Sequence, residues 1–484
     1  MRVQSSINRM QITESIIRQK YLQGEESVVE LFTEMKSHMD ELEEQIQHLG
    51  DQLAKKSHNS SKPPSSDAYS KPTPQNSRSC SKKRGGQVGH RGHTLPLQEF
   101  ADFTEIHSVN ECAHCGSSLE GVACEDQQKR QVFDIPPLKL QVKEHQLEIK
   151  TCPHCRKKTK GKFPSGVVAP SQYGSRVKAL CSYLSSYHLL PLQRLSELFE
   201  DLFSHRISQS TIMKINRQSS HLLESVHQVI KEKLLQSVHL HCDESGLRVK
   251  EKLYWLHVVS NAHLTAYHIH PKRGKEATDS MGILEPFKGV IVHDFWRPYY
   301  KYQQLQHALC NAHHLRELKL ISERYQQPFC EEMIDLLLEI KQEIEELPSQ
   351  EKTLNPSRID YFSQHYDQIV EEGLKHNPLK KKPKGKRGRA KQSPCRNLLD
   401  RFKKHKTEVL AFLYDTSIPF DNNQAERDIR MIKVKQKVSG SFRTNQGAEH
   451  FCSTRAYIST VKKNKQNVIH SLQQAFLGEP FVPT

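Results

Sequence analysis

Long apolar runs are missing from this 484-residue chain, in which hydrophobic residues make up only 36%. No stretch approaches the roughly 18 consecutive apolar residues that a membrane-spanning helix requires. That excludes an integral helical membrane protein. Residues Met1 to Gln11 also lack the apolar core of a secretory signal, so a cytoplasmic location is expected. Cysteine is scarce for the length: there are twelve, and four of them fall into two C-x-x-C pairs. A disulfide scaffold is thereby excluded, and reduced thiols with a metal are the better reading. At this length the chain has material for about three domains of roughly 150 residues.

Acid is the other shortage, with 55 Asp and Glu against 71 Lys and Arg, a formal net charge of +16. The excess is local. Lys55 to His93 holds nine bases and one acid, Asp67, and Lys375 to Lys406 holds fourteen bases and one acid, Asp400. Together these windows carry +21, which leaves −5 for everything else. Concentrated positive charge suits a phosphate backbone, because each neutralised phosphate releases condensed counterions. The bland alternative is a pair of solvated linkers.

Val28, Phe32, Met35, Met39, Leu42, Ile46, Leu49 and Leu53 recur at alternating steps of four and three. This heptad seam predicts a helix that self-associates as a short coiled coil, the alternative being an amphipathic helix packed on its own domain. From His58 to His93 the chain is rich in Ser, Pro, Lys and Gly, the composition of a linker. Next come Cys112-Ala-His-Cys115 and Cys152-Pro-His-Cys155, separated by 36 residues. Two such knuckles predict one closed four-cysteine zinc site through Cys112, Cys115, Cys152 and Cys155, with Cys124 as a substitute ligand. Alternation from Gln131 to Lys150 predicts a hairpin filling the gap. Tyr173 to Ile230 reads as helical, and Ser208 stands where a second helix would begin after a short turn. Helix-turn-helix and plain connector are both open there.

Val238 to Val249, Leu253 to Val259 and Leu264 to Ile269 have the pattern of a three-stranded antiparallel meander. A helix from about Glu276 to Leu284 precedes Gly289 to Asp294, a strand ending in an acid. Three strands, a helix and a strand is the opening order of a ribonuclease-H-like sheet, whose fourth strand pairs beside the first. Asp243 and Asp294 would then be neighbours, and neighbouring carboxylates persist where hard cations such as Mg²⁺ or Mn²⁺ neutralise them. A third acid is expected from the helix around Pro419 to Arg430, where Asp421 or Asn422 caps and Glu426 lies one turn in, in competition with Asp421 and Asp428. Glu244 should point away from Asp243 by strand alternation. Cys310 and His313 form a C-x-x-H pair readable as metal ligands or as helix packing. Trp296 is readable as a base-stacking or a core aromatic.

These residues carry a resemblance. Gly85-Gly-Gln-Val-Gly-His90, the two knuckles, Asp243-Glu-Ser, Val292-His-Asp294, Cys310-Asn-Ala-His-His-Leu-Arg316, Asn422-Asn-Gln-Ala-Glu-Arg427 and Ser439-Gly-Ser-Phe-Arg443 resemble the transposases of the insertion sequence 66 family. The likeness extends over nearly the whole length, departing at Asn311, where the family often has Trp, and in the lysine-rich insertion around Lys380 to Lys391. It implies an acidic triad at Asp243, Asp294 and Glu426 holding Mg²⁺ or Mn²⁺, cleavage at element ends, and attack of the freed 3′-hydroxyl on target DNA. The resulting expectation is an α/β protein. Helical, coiled-coil residues 1–56 and a basic linker over 57–100 come first, then a zinc module over 101–165 and a helical connector or DNA-binding domain over 166–235. A ribonuclease-H-like catalytic domain over 236–440 carries a basic helical insertion at about 325–410, and a basic helical tail covers 441–484. Expected DNA contacts are Lys82, Lys83, Arg84, Arg427, Arg430, Lys433, Lys435, Lys437 and Arg443. Expected partners are element-end and target DNA, further copies of the chain as a homodimer or higher oligomer, and accessory proteins of the same element, with the nucleoid of a bacterial cytoplasm as the setting. The rival readings are a non-catalytic zinc-containing DNA-binding relative and a metal-dependent nuclease that does not join strands.

Overall fold

The computed structural model describes residues 13–56, 58–60, 94–347, 353–380 and 390–484. Lys82, Lys83, Arg84 and most of the lysine-rich insertion lie outside these residues. In chain order the elements are α1 (Glu14–Leu22), α2 (Glu25–Ala54), β1 (Ile149–Thr151), β2 (Lys158–Lys160), α3 (Ser175–Ser182), α4 (Leu192–Phe203), α5 (Gln209–Leu222) and α6 (Glu224–Leu235). Then follow β3 (His239–Val249), β4 (Lys252–Ser260), β5 (Thr265–His270), α7 (Lys275–Met281), β6 (Val290–His293), β7 (Gln306–Leu309) and α8 (Asn311–Tyr325). The chain continues with α9 (Pro328–Glu345), α10 (Pro356–His376), α11 (Pro394–Lys404), α12 (Lys406–Val409), α13 (Ala411–Tyr414), α14 (Asn423–Ser439), α15 (Asn445–Lys463) and α16 (Val468–Leu477). They divide into two compact units. One comprises Met1–Pro72, Gly174–Pro191 and Met213–Thr484, the other Thr73–Tyr173 and Leu192–Ile212. Among the described residues no helix is long and apolar enough to cross a membrane.

The larger unit is built on a mixed five-stranded sheet in the order β5-β4-β3-β6-β7. β3, β4 and β5 form the expected antiparallel meander, and β6 runs parallel to β3 with Val292 opposite His241. β7 adds a parallel edge strand. Alternation along β3 assigns the two faces. Leu240 and Cys242 face a core shared with Val226, Ile230 and Leu234 of α6 and Tyr457, Ile458 and Val461 of α15. Leu247 and Val249 face the opposite way, onto Ala425, Ile429 and Ile432 of α14. The C-terminal residues form α15 and α16, whose apolar sides are packed into the core that Leu240 and Cys242 face. Gly289 enters β6 where a Cβ would stand 2.4 Å from the Val238 carbonyl oxygen, so the start of the β3–β6 pair admits only glycine.

Between β7 and α14 the chain forms a helical layer with its own core, in which Met333 and Leu336 of α9 meet Phe362 and Tyr366 of α10 and Leu398 and Phe402 of α11. Proline stands in the first turn of all three helices, where its missing N–H costs no hydrogen bond. Along α2 the seam positions Phe32, Met39, Leu42, Ile46, Leu49 and Leu53 are all exposed. Near its end Asp51 accepts hydrogen bonds from Arg324 Nε (3.2 Å) and Tyr325 Oη (2.5 Å).

The smaller unit contains both cysteine pairs and α4. Gly116 N donates to Cys112 O and Arg156 N to Cys152 O, each at 2.9 Å. The two turns close the same way, with Gly116 at φ 70° and Arg156 at φ 54°. β1 and β2 form a three-residue hairpin around the second turn. The hairpin expected over Gln131 to Lys150 does not form: only Ile149 and Lys150 of that stretch lie in a strand, and Val132, Ile135 and Val142 are exposed. The alternation is present, but no layer covers it, and a lone two-stranded ribbon has too little burial to persist. Ser208 Oγ accepts from Thr211 N (3.2 Å) at the start of α5, the expected N-cap.

Candidate active site

Three elements of the larger unit bring acids to one place. Asp243 lies midway along β3 on the face that looks toward α14. Asp294 is the first residue beyond β6. Glu426 is in the first turn of α14. Burial first, then the charges of Glu244, Asp294 and Glu426, hold the Asp243 carboxyl well above the usual carboxylate range. The three acids are therefore electrostatic neighbours, although the sequence separates the last from the first by more than 180 residues.

Each acid is held differently. The Asp294 turn is fixed from beneath by His293, fully buried, whose Nδ1 accepts from Phe295 N at 3.2 Å and whose Nε2 is 3.0 Å from His307 Nδ1. Phe295 itself stands at φ 71°, a left-handed conformation that an L residue holds only when its surroundings impose it. Asp294 Oδ1 accepts from Trp296 N at 3.2 Å, closing the turn. Glu426 is placed by Asn422, the residue that precedes α14 and is buried against β3. Asn422 Nδ2 donates to Cys242 O (2.8 Å), His241 Nδ1 donates to Asn422 Oδ1 (2.9 Å), and Asn422 N donates to Cys310 Sγ (3.1 Å). That docking is not legible in the sequence, except that His241 shares a strand face with Asp243.

The rival acids have other partners. Asp421 accepts from Asn423 N (2.9 Å) and Asn423 Nδ2 (2.6 Å), so it caps α14. Asp428 is buried and paired with Lys463 (2.8 Å). Glu426 meets Arg316 (3.1 Å) and His313 (3.7 Å) on the site's side. Glu244 turns to the other face of β3, as strand alternation requires. There Arg273 donates to its Oε1 at 2.6 and 3.0 Å and Tyr299 Oη to its Oε2 at 2.9 Å. Arg273 is held between Trp255 and Trp296, 4.7 and 4.6 Å from the ring centres. Burial and the Asp294 charge raise the Glu244 carboxyl to about 7 despite these donors.

Of the basic residues expected to meet DNA, Arg427, Arg430, Lys437 and Arg443 are exposed. Lys433 turns inward, donating to the Gly246 carbonyl of β3, and Lys435 is half-buried with its Nζ 5.8 Å from the Phe451 ring centre. Burial lowers the ammonium pKa of both.

Within each knuckle the sulfurs are adjacent. The side-chain hydrogen bond between Cys115 and Ser117 is the largest cause lowering Cys115, and backbone hydrogen bonds from Cys155 and His154 lower Cys152. Donor type and turn geometry fit a thiolate-loving metal such as zinc. Among the described residues, Cys112, Cys115, Cys152 and Cys155 do not bring three or more ligand atoms within 4.8 Å of one another. The group that does bring three ligand atoms within 4.8 Å is Cys310, His313 and Glu426.

A family model for the transposase IS66 family matches residues 170–450, more than half of the chain. A second, for the zinc-finger binding domain of transposase IS66, matches residues 110–156 and supports a structural zinc at the knuckles. A family of unknown function matches residues 8–96. No curated protein matches the chain.

Proposed function

Because the chain belongs to the IS66 transposase family, we propose that it cleaves the ends of a mobile DNA element and joins them to target DNA, with Asp243, Asp294 and Glu426 as the catalytic acids. The observation that carries this reading is the convergence of three carboxyls from β3, the end of β6 and the first turn of α14, with buried His293 fixing the Asp294 turn and buried Asn422 fixing the start of α14. The sheet order supports a ribonuclease-H-like catalytic domain over residues 236–440, carrying the helical insertion at about 325–410. Burial first, and then repulsion among the unneutralised acids, make Asp243 resist ionisation; a hard divalent cation, Mg²⁺ or Mn²⁺, fits that donor set. When bound, the ions supply activation of the attacking oxygen and stabilisation of the leaving one.

The chain's own residues do the rest. Asp243 gives up its proton and, with Asp294 and Glu426, provides the negative charge that holds the ions. Arg427, Arg430, Lys437 and Arg443, exposed on α14 and just beyond it, bind phosphates and position the strand. Lys433, beside Asp243 and turned inward, sets the local field instead of reaching outward. The knuckles at Cys112, Cys115, Cys152 and Cys155 hold a structural zinc in an end-binding module over residues 101–165. The helical stretch over 166–235 serves as a DNA-contacting or connecting segment, and α2 pairs with a second copy through its apolar seam as a coiled coil.

The test uses purified full-length protein, a labelled duplex carrying the element end, a plasmid target and Mg²⁺ or chelator. Metal-dependent cleaved and joined product is expected, with Asp294→Asn losing at least about a hundredfold in cleavage while retaining DNA affinity. Undiminished cleavage by Asp294→Asn overturns the catalytic assignment, and nicking without joining favours a nuclease.

A further inference from the structure

We propose that Cys310, His313 and Glu426 form a second metal site, one that takes a borderline divalent transition ion of the zinc class. It is distinct from the knuckles, and it shares Glu426 with the triad proposed above. Cys310 and His313 lie at the N-cap and third residue of α8, three apart and hence on one face, and Glu426 comes from the first turn of α14. Ligand atoms about 2.0–2.3 Å from a tetrahedral zinc stand roughly 3.3–3.8 Å from one another. Here the three lie within 4.8 Å, and His313 Nε2 is 3.7 Å from Glu426 Oε1, so side-chain adjustments close the set.

The chemistry of each donor suits the ion. Sulfur with imidazole and one carboxylate is a softer set than Mg²⁺ selects. Cys310 is fully buried, and the Asn422 and His313 amides both donate toward its sulfur. Thiolate and carboxylate together balance a divalent charge, which opposes the local repulsion from Arg316 and Arg401. His313 presents its Nε2 toward Glu426. Three protein ligands leave a fourth position open. Cys310, His313 and Asp294 line one cavity of about 450 Å³. An ion here would occupy Glu426.

The experiment is metal analysis and Co²⁺ titration of full-length protein stripped with chelator. Wild type is expected to bind one equivalent more than Cys310→Ser and His313→Ala, and to show additional thiolate-to-cobalt absorption that Cys310→Ser lacks. Should Cys310→Ser fail to fold, His313→Ala, at a half-buried position, decides alone. Equal stoichiometry in wild type and a folded His313→Ala variant overturns the site, whatever the variants do to DNA.

Discussion

A single asparagine controls where the third acid stands. Asn422 has almost no exposed surface, and its side chain ties the start of α14 to both Cys242 and His241 of β3. Replacing it with alanine keeps the backbone hydrogen bond to Cys310 but strands the Cys242 carbonyl and the His241 ring nitrogen. Buried groups left unpaired in this way cost about 1–3 kcal/mol each. Asn422→Ala should therefore lower the urea midpoint at unchanged slope and reduce cleavage while Glu426 remains present; full activity with a normal midpoint would show that β3 and α14 are registered by packing alone. Asp243 and Asp294 are legible in the amino-acid sequence alone. They follow from strand alternation and from a strand that ends in an acid, both local patterns. The Asn422–His241 link and the meeting of Cys310 and His313 with Glu426 are not legible there, because they join residues more than 100 positions apart and leave no period in the sequence.

At the scale of elements, legibility follows burial. β3, β4 and β5 appear within a residue or two of their expected bounds, since one face of each meets a core and alternation there has an energetic consequence. β7, Gln306–Leu309, carries too few residues to show a period. The hairpin expected over 131–150 is the converse case, a period without a layer to bury it. α2 is the element with most left to satisfy. Its helix is expected from the seam and is present, and six seam residues are exposed along it. Exposed leucine, isoleucine, methionine and phenylalanine in one stripe recover about 1.5–3 kcal/mol apiece when fully covered. Deleting the residues before Ser57 should lower the mass seen by light scattering, and a mass reduced only by the deleted residues would assign the stripe to some other role.

For the whole molecule, buried histidines set the acid limit. Burial lowers His227, on α6, and His257, on β4, to about 4. The unfolded chain takes up these protons first, near pH 6.5, so the stability the two contribute is complete above about 6.5 and is lost as pH falls toward 4. Glu244 works in the opposite sense: its raised carboxyl favours the folded state at low pH, and that contribution fades as pH rises through about 7. With the histidines outnumbering it, Tm by calorimetry should be lower at pH 5 than at pH 7, and His227→Gln should shrink the difference; a level profile would mean that these imidazoles are solvated. The division into two units has a different consequence. The chain leaves the larger unit after Pro72, returns at Gly174, departs again after Pro191 and comes back at Met213. The knuckle-bearing unit is thus assembled from two separate stretches of the chain. One proteolytic nick cannot release it. Residues 192–212, which carry the fully buried Leu195, Phe199 and Ile207, belong to the same unit as residues 73–173, so a single splice cannot move that unit whole between proteins.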